Sequence, residues 1–110
     1  LIKNTNMFFD EYDILISPSA MVAPFSIKEP WPKKVENREF DNYVSWLMTA
    51  ATISLTGCPS LAVPCIKTDK NLPIGIQIVG KRRYEAMLIS IGHKFQKHSN
   101  NYNITPINPG

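Results

Sequence analysis

Apolar positions recur along this chain in two rhythms. From Arg83 to His98, Tyr84, Met87, Leu88, Ile91 and Phe95 follow three-and-four spacing, while Glu85, Lys94, Gln96 and Lys97 fall between them. That pattern predicts an amphipathic helix lying on a sheet, with His93 on its polar side and His98 at its frayed end. Upstream the period drops to two: Ile74, Ile76 and Ile78 alternate after Pro73 and predict a strand running to Gly80. Leu61, Val63 and Ile66 predict a partner strand opened by Gly57 and Pro59. Lys67 to Leu72, with Asp69 and Asn71, carries the turn residues of an antiparallel hairpin. Pro64 has no amide hydrogen and must sit at an edge, bulge or strand end. Gly75 reads as the place where a helix packs against the strand.

The first half is less regular. Phe8, Phe9 and Tyr12 read as the later turns of a helix, and Ile14, Leu15 and Ile16, with no polar alternation, as a central strand buried on both faces. Pro18, Pro24, Pro30 and Pro32 then mark a long loop from Ser17 to Val35, a pocket wall or a plain surface excursion. Asn37 as N-cap and Glu39 in the first turn predict a helix ending near Leu55. It carries two apolar stripes: Phe40, Tyr43, Val44, Leu47, Met48, Ala51 and Leu55 on one side, and Trp46, Thr49, Ala50 and Ile53 on the other. A helix apolar on both sides is predicted to be buried nearly all round. Residues 99–110, with Pro106 and Pro109, read as a tail.

The elements define an α/β fold: three strands and two to three helices, forming part of a mixed β-sheet core flanked by helices. With 110 residues and 44% hydrophobic content the chain has the length and composition of one globular domain. Two long helices are too few to cover both faces of a buried sheet, so residues 1–98 read as a segment of a larger domain. The chain opens on Leu1, with no basic region ahead of a continuous apolar run, which excludes a signal peptide and makes truncation the simplest reading. No stretch approaches the roughly 18 apolar residues of a membrane span.

Charge and cysteines narrow the chemistry. The net charge is +3, but the basic residues are dispersed apart from Lys81, Arg82 and Arg83, which read as a solvated loop before a helix and not as a nucleic-acid footprint. Cys58 and Cys65 bracket one strand, which holds them about 20 Å apart, beyond disulfide reach; they read as buried thiols of a reducing compartment, placing the protein in the cytoplasm. With His93 and His98 far along the chain they do not make a metal site. No cofactor is implied.

Nucleophilic catalysis by serine needs a base within hydrogen-bond reach and convergent backbone amides, commonly from a glycine-rich turn. Ser17, Ser19, Ser26, Ser45, Ser54, Ser60, Ser90 and Ser99 are scattered, none in a glycine cluster. No catalytic residue is assigned.

Three segments nevertheless form a recognisable order. Asp13 to Pro18 fits D-x-x-x-x-P, Thr56 to Pro64 fits T/A-G-x-P-x-x-x-V-P, and Leu72 to Gly80 fits L-P-x-G-x-Q-x-x-G, followed by a helix with an early acidic residue, Glu85. In that order and spacing they resemble the C-terminal portion of the amidase signature family, over about Phe8 to Phe95. The resemblance implies amide C–N cleavage through a serine nucleophile, a bridging serine and a lysine base, all lying earlier in the family's chains than anything present here. This chain would then be an inactive scaffold and pocket segment, acting on a small-molecule amide only with an N-terminal part of the same fold. Some family members line their substrate pocket with the helix before the G-x-P turn, which here offers Trp46, Thr49, Ala50 and Ile53. In glutaminyl-type amidotransferase members this helix carries an acidic substrate contact. The comparable turns here hold Trp46 and Leu47, which implies an apolar or aromatic substrate group. The alternative readings are a small non-catalytic α/β binding module and a segment of an amidotransferase subunit.

Overall fold

The computed structural model describes residues 1–99, apart from the side chain of Thr49. Helix α1 (Ile2–Glu11) leads into strand β1 (Ile14–Pro18); an irregular loop reaches a small hairpin of β2 (Lys34–Val35) and β3 (Arg38–Glu39). Two short helices follow, α2 (Tyr43–Trp46) and α3 (Met48–Thr56). The chain then forms the long strands β4 (Ser60–Lys67) and β5 (Pro73–Gly80) and helix α4 (Glu85–His98). The predicted tail falls almost wholly outside the described residues. Among the described residues no helix is long and apolar enough to cross a membrane.

The main sheet has the order β1-β5-β4, each neighbouring pair antiparallel. The hairpin therefore forms as its alternation predicts. Its loop closes through Thr68, whose N–H donates to the Leu72 carbonyl at 2.8 Å and whose hydroxyl accepts from the Leu72 N–H at 3.1 Å. Asn71 takes the left-handed conformation (φ 61°) that asparagine tolerates better than most residues. β4 is an outer strand of this sheet and its register shifts between Pro64 and Ile66, the setting an amide-less residue requires.

Because β5 is central, its two side-chain rows face different partners. Ile76 and Ile78 pack with Val63, Leu61 and Ile14 against Leu88, Ile91 and Phe95 of α4, and this is the core. Gly92 lets α4 close on β4, since a Cβ there would overlap the Leu61 side chain. At Gly80 a Cβ would stand 3.0 Å from Leu88 Cδ2. On the opposite row, Val79 meets Leu15 of β1 and the region of α1 and α3.

Several expectations need correction. β1 is an edge strand in this sheet, not its centre, and Ile16 is 55% exposed. Asn37 caps no helix: it sits in the β2–β3 turn beside Glu36, whose φ is 51°. The hairpin forms there because Phe40 is locked in place, its N–H donating to the Lys33 carbonyl and its carbonyl accepting from Trp31 Nε1. The true N-cap is Asn42, whose Oδ1 accepts from the Ser45 N–H at 3.0 Å. The helix it starts is interrupted at Leu47, and it is not buried all round, since Val44 and Leu55 are 65% and 66% exposed. Its apolar stripes outnumber the elements available to cover them. Helix α4 begins at Glu85, two residues later than predicted, because Arg83 takes a left-handed φ of 67°. Cys58 and Cys65 are half-buried rather than buried.

Candidate functional site

The site is assembled where β1 ends. Pro18 leaves the sheet beside Ile76, and the next residue, Ser19, turns back over β5. Both its N–H (3.2 Å) and its hydroxyl (2.9 Å) donate to the Gly75 carbonyl. The contact is close enough that a Cβ on residue 75 would lie 3.0 Å from Ser19 Oγ and 3.2 Å from the Val63 carbonyl. Gly75 thus makes room for a loop, not for the helix its sequence position suggested.

From Ser19 the loop borders an open cavity of about 230 Å³, lined by Val22, Pro24 and Phe25 of the loop, Ile74 and Gly75 of β5 and Trp46 of α2. The Phe25 and Trp46 rings meet edge to face at 5.7 Å, and Tyr43 meets Trp46 in the same way at 5.9 Å. A neighbouring cavity of about 130 Å³ shares Ser19, Ala20 and Trp46 and adds Met21, Leu47 and Ala50. Among the described residues none that lines either cavity is ionisable, so the wall offers shape and apolar contact and no group to carry a proton. The Trp46 indole N–H is buried and has no acceptor among the described residues.

The four residues predicted as one wall divide. Trp46 and Ala50 line this site. Ile53 lines a separate cavity of about 270 Å³ between α1, β1 and α3, with Phe8, Phe9, Leu15 and Val79. Ala50 and Ile53 belong to the same helix, so the division falls along its length: Ile53 is seven residues, about 10 Å of helix rise, beyond Trp46 and reaches the cavity beside α1. The side chain of Thr49 lies outside the described residues. Ser19, Ala20 and Phe25 come from the Ser17 to Val35 loop, one of whose two readings was a pocket wall, and Gly75 comes from β5. The small pair Ser19 and Ala20 directly after a strand end was the available signal.

Four serine hydroxyls are committed to local structure. Ser54 donates back to the Ala50 carbonyl, Ser60 to Gln77 Oε1, Ser45 to Asn42 Oδ1 and Ser99 to the Gln96 carbonyl. None of these acceptors is a base. Two members of the basic run hold structure together: Lys81 pairs with Asp10 at 3.0 Å, and Arg82 Nη2 donates to the Thr56 carbonyl at the end of α3.

The family model described as Amidase matches residues 1–89, and the chain belongs to the amidase family. Among curated relatives, the A subunit of glutamyl-tRNA(Gln) amidotransferase from Nitrosomonas europaea is 29% identical over 98 residues, which is 89% of this chain and 19% of that protein. The chloroplastic/mitochondrial counterpart from Oryza sativa subsp. indica is 36% identical over 107 residues, covering 94% of this chain and 19% of that protein. The chain thus spans about a fifth of the length of the curated relatives it matches. The crystal structure of the glutamyl-tRNA(Gln) amidotransferase A subunit from Thermotoga maritima superimposes with a TM-score of 0.68 at 23% identity, over 88% of this chain and 20% of that one. That likeness shows a shared fold.

Proposed function

We propose that residues 1–98 are the C-terminal segment of a larger amidase-type α/β domain, and that they supply scaffold and one substrate-pocket wall to an enzyme cleaving an amide C–N bond. The nucleophilic serine, bridging serine and lysine base would come from a part of the same fold outside this chain, and the enzyme would work in the cytoplasm. The observation that carries this reading is the aromatic, uncharged cavity lined by Trp46 and Phe25, in a chain where Ser45, Ser54, Ser60 and Ser99 donate to carbonyl and amide oxygens and not to a base. Such a wall favours a small-molecule amide whose apolar or aromatic group lies against Trp46, and hydrolysis is the reaction that needs nothing more than water as acceptor.

A second reading draws on the relatives. Those named above are A subunits of glutamyl-tRNA(Gln) amidotransferases, so this segment would belong to such a protein and work with partner subunits. An acidic contact for a glutamine amino group is lacking among the described lining residues, which favours the hydrolase.

The two separate in one assay. The enzyme carrying this segment is given arylalkyl amides and glutamine, and ammonia release is followed. The hydrolase reading expects higher kcat/KM for the arylalkyl amides, and a loss of that preference in Trp46→Ala. Preference for glutamine would transfer the assignment to the amidotransferase. Enzyme-like amide hydrolysis by residues 1–110 alone would refute the division of labour between this segment and the rest of the fold.

A further inference from the structure

The G-x-Q segment of β5 does more than fill the sheet. Gln77 is the buried polar residue of the central strand, 7% exposed. Its Nε2 donates to the Pro18 carbonyl at 3.2 Å, and its Oε1 accepts from Ser60 Oγ at 3.2 Å. A carbonyl can only accept, so the amide must face Pro18 with its nitrogen, and the hydroxyl of Ser60 on β4 suits the oxygen left on the other side. One residue further on, Ser19 is doubly bonded to the Gly75 carbonyl. These bonds grip the two residues at which the chain leaves β1 and begins the cavity loop.

We infer that Gln77 is a positioning residue for the substrate pocket: oriented by Ser60, it fixes Pro18, and with Gly75 it sets the height at which the loop from Ser19 to Phe25 stands over the cavity and against Trp46. This rests on the pocket reading above. Among the described residues Gln77 lines neither cavity and meets the loop only through the Pro18 carbonyl. Its effect should therefore appear as a dependence of binding on substrate size and leave the chemical step alone.

The test uses the enzyme that carries this segment, with a short aliphatic amide and an arylalkyl amide as substrates, well below its unfolding temperature. Gln77→Leu and the milder Ser60→Ala are compared with Trp46→Ala. Gln77→Leu should raise KM for the arylalkyl amide about tenfold, as expected for loss of one buried hydrogen bond. Its kcat, and both constants for the short amide, should hold within about twofold on the same reckoning. Ser60→Ala should move the same constants in the same direction by less, and its exposed position keeps the series readable even where Gln77→Leu lowers the yield of folded enzyme. Equal losses for both substrates in Gln77→Leu and no effect of Ser60→Ala would overturn the inference and leave Gln77 a sheet residue. If Trp46→Ala alters neither constant for the arylalkyl amide, the pocket reading itself fails. If Trp46→Ala is selective and the Gln77 and Ser60 variants are not, only the positioning role fails.

Discussion

Leu88 on α4 and Leu55 on α3 are the same residue in similar surroundings, an apolar stripe on a helix beside the sheet, yet Leu88 is 2% exposed and Leu55 is 66% exposed. The difference is one of partners. α4 lies across β4 and β5, whose Leu61, Val63, Ile76 and Ile78 present a continuous apolar row to it. The α1 and α2–α3 side has apolar residues in comparable number, but they line open cavities: Phe8, Leu15 and Ile53 one of them, Phe25 and Trp46 another. An apolar stripe is a statement about what a helix wants to touch, and only the β4–β5–α4 unit contains its own answer.

The largest test of that contrast is truncation. Leu88→Ala should destabilise the protein by about 2–5 kcal/mol, the usual cost of emptying a packed leucine site, seen as a lower urea midpoint. Leu55→Ala in this chain should fall within about 0.5 kcal/mol of wild type, as for exposed sites generally. Repeating Leu55→Ala in the enzyme that carries the segment sharpens the comparison: a cost approaching that of Leu88→Ala there would show that the rest of the fold covers α3. A smaller effect is expected at Gly75, where a methyl group would push into Ser19 and the Val63 carbonyl; Gly75→Ala should cost about 1–3 kcal/mol, as overpacking does, with loosening of the loop visible by hydrogen exchange.

On the open side, Asn42→Ala removes the α2 cap and should cost about 1 kcal/mol, measured by thermal unfolding, with α2 amides exchanging faster while those of α4 do not change. Smallest is Lys81→Met. Its pair with Asp10 joins the α1 end to the β5–α4 turn but is exposed on both sides, so the expected loss is below about 0.5 kcal/mol and should vanish in high salt. If that variant destabilised the protein as much as Leu88→Ala, the view of α1 as loosely held would be wrong.

Much of the second half could be read directly. Alternation in Ile74, Ile76 and Ile78, the turn residues Asp69 and Asn71, and three-and-four spacing after Glu85 each describe interactions between neighbours in the chain, and the hairpin and α4 follow from them. The family was legible for a related reason. Two of its three motifs sit where the backbone is tightly constrained: Gly57 in a left-handed helix end at φ 65°, Pro64 at a bulge, and Gly75 and Gly80 against close neighbours. The first half resisted the same reading because its decisive bonds span the chain or compete locally. Asn37 and Asn42 are equally good caps by type, and the choice fell to Asn42 because Trp31 and Lys33 hold Phe40 in a hairpin.

Composition and local pattern by themselves determined that Trp46 and its neighbours on the helix were apolar and that β4 and β5 would pair. Tertiary structure alone decided which residues share a cavity. Ser19 and Gly75 are 56 positions apart and meet through a backbone carbonyl, a contact with no signature in residue spacing. Ala50 and Ile53 stand three residues apart on one helix and line different cavities, because the loop after Ser19 covers the first and α1 faces the second, a division that helical spacing does not record.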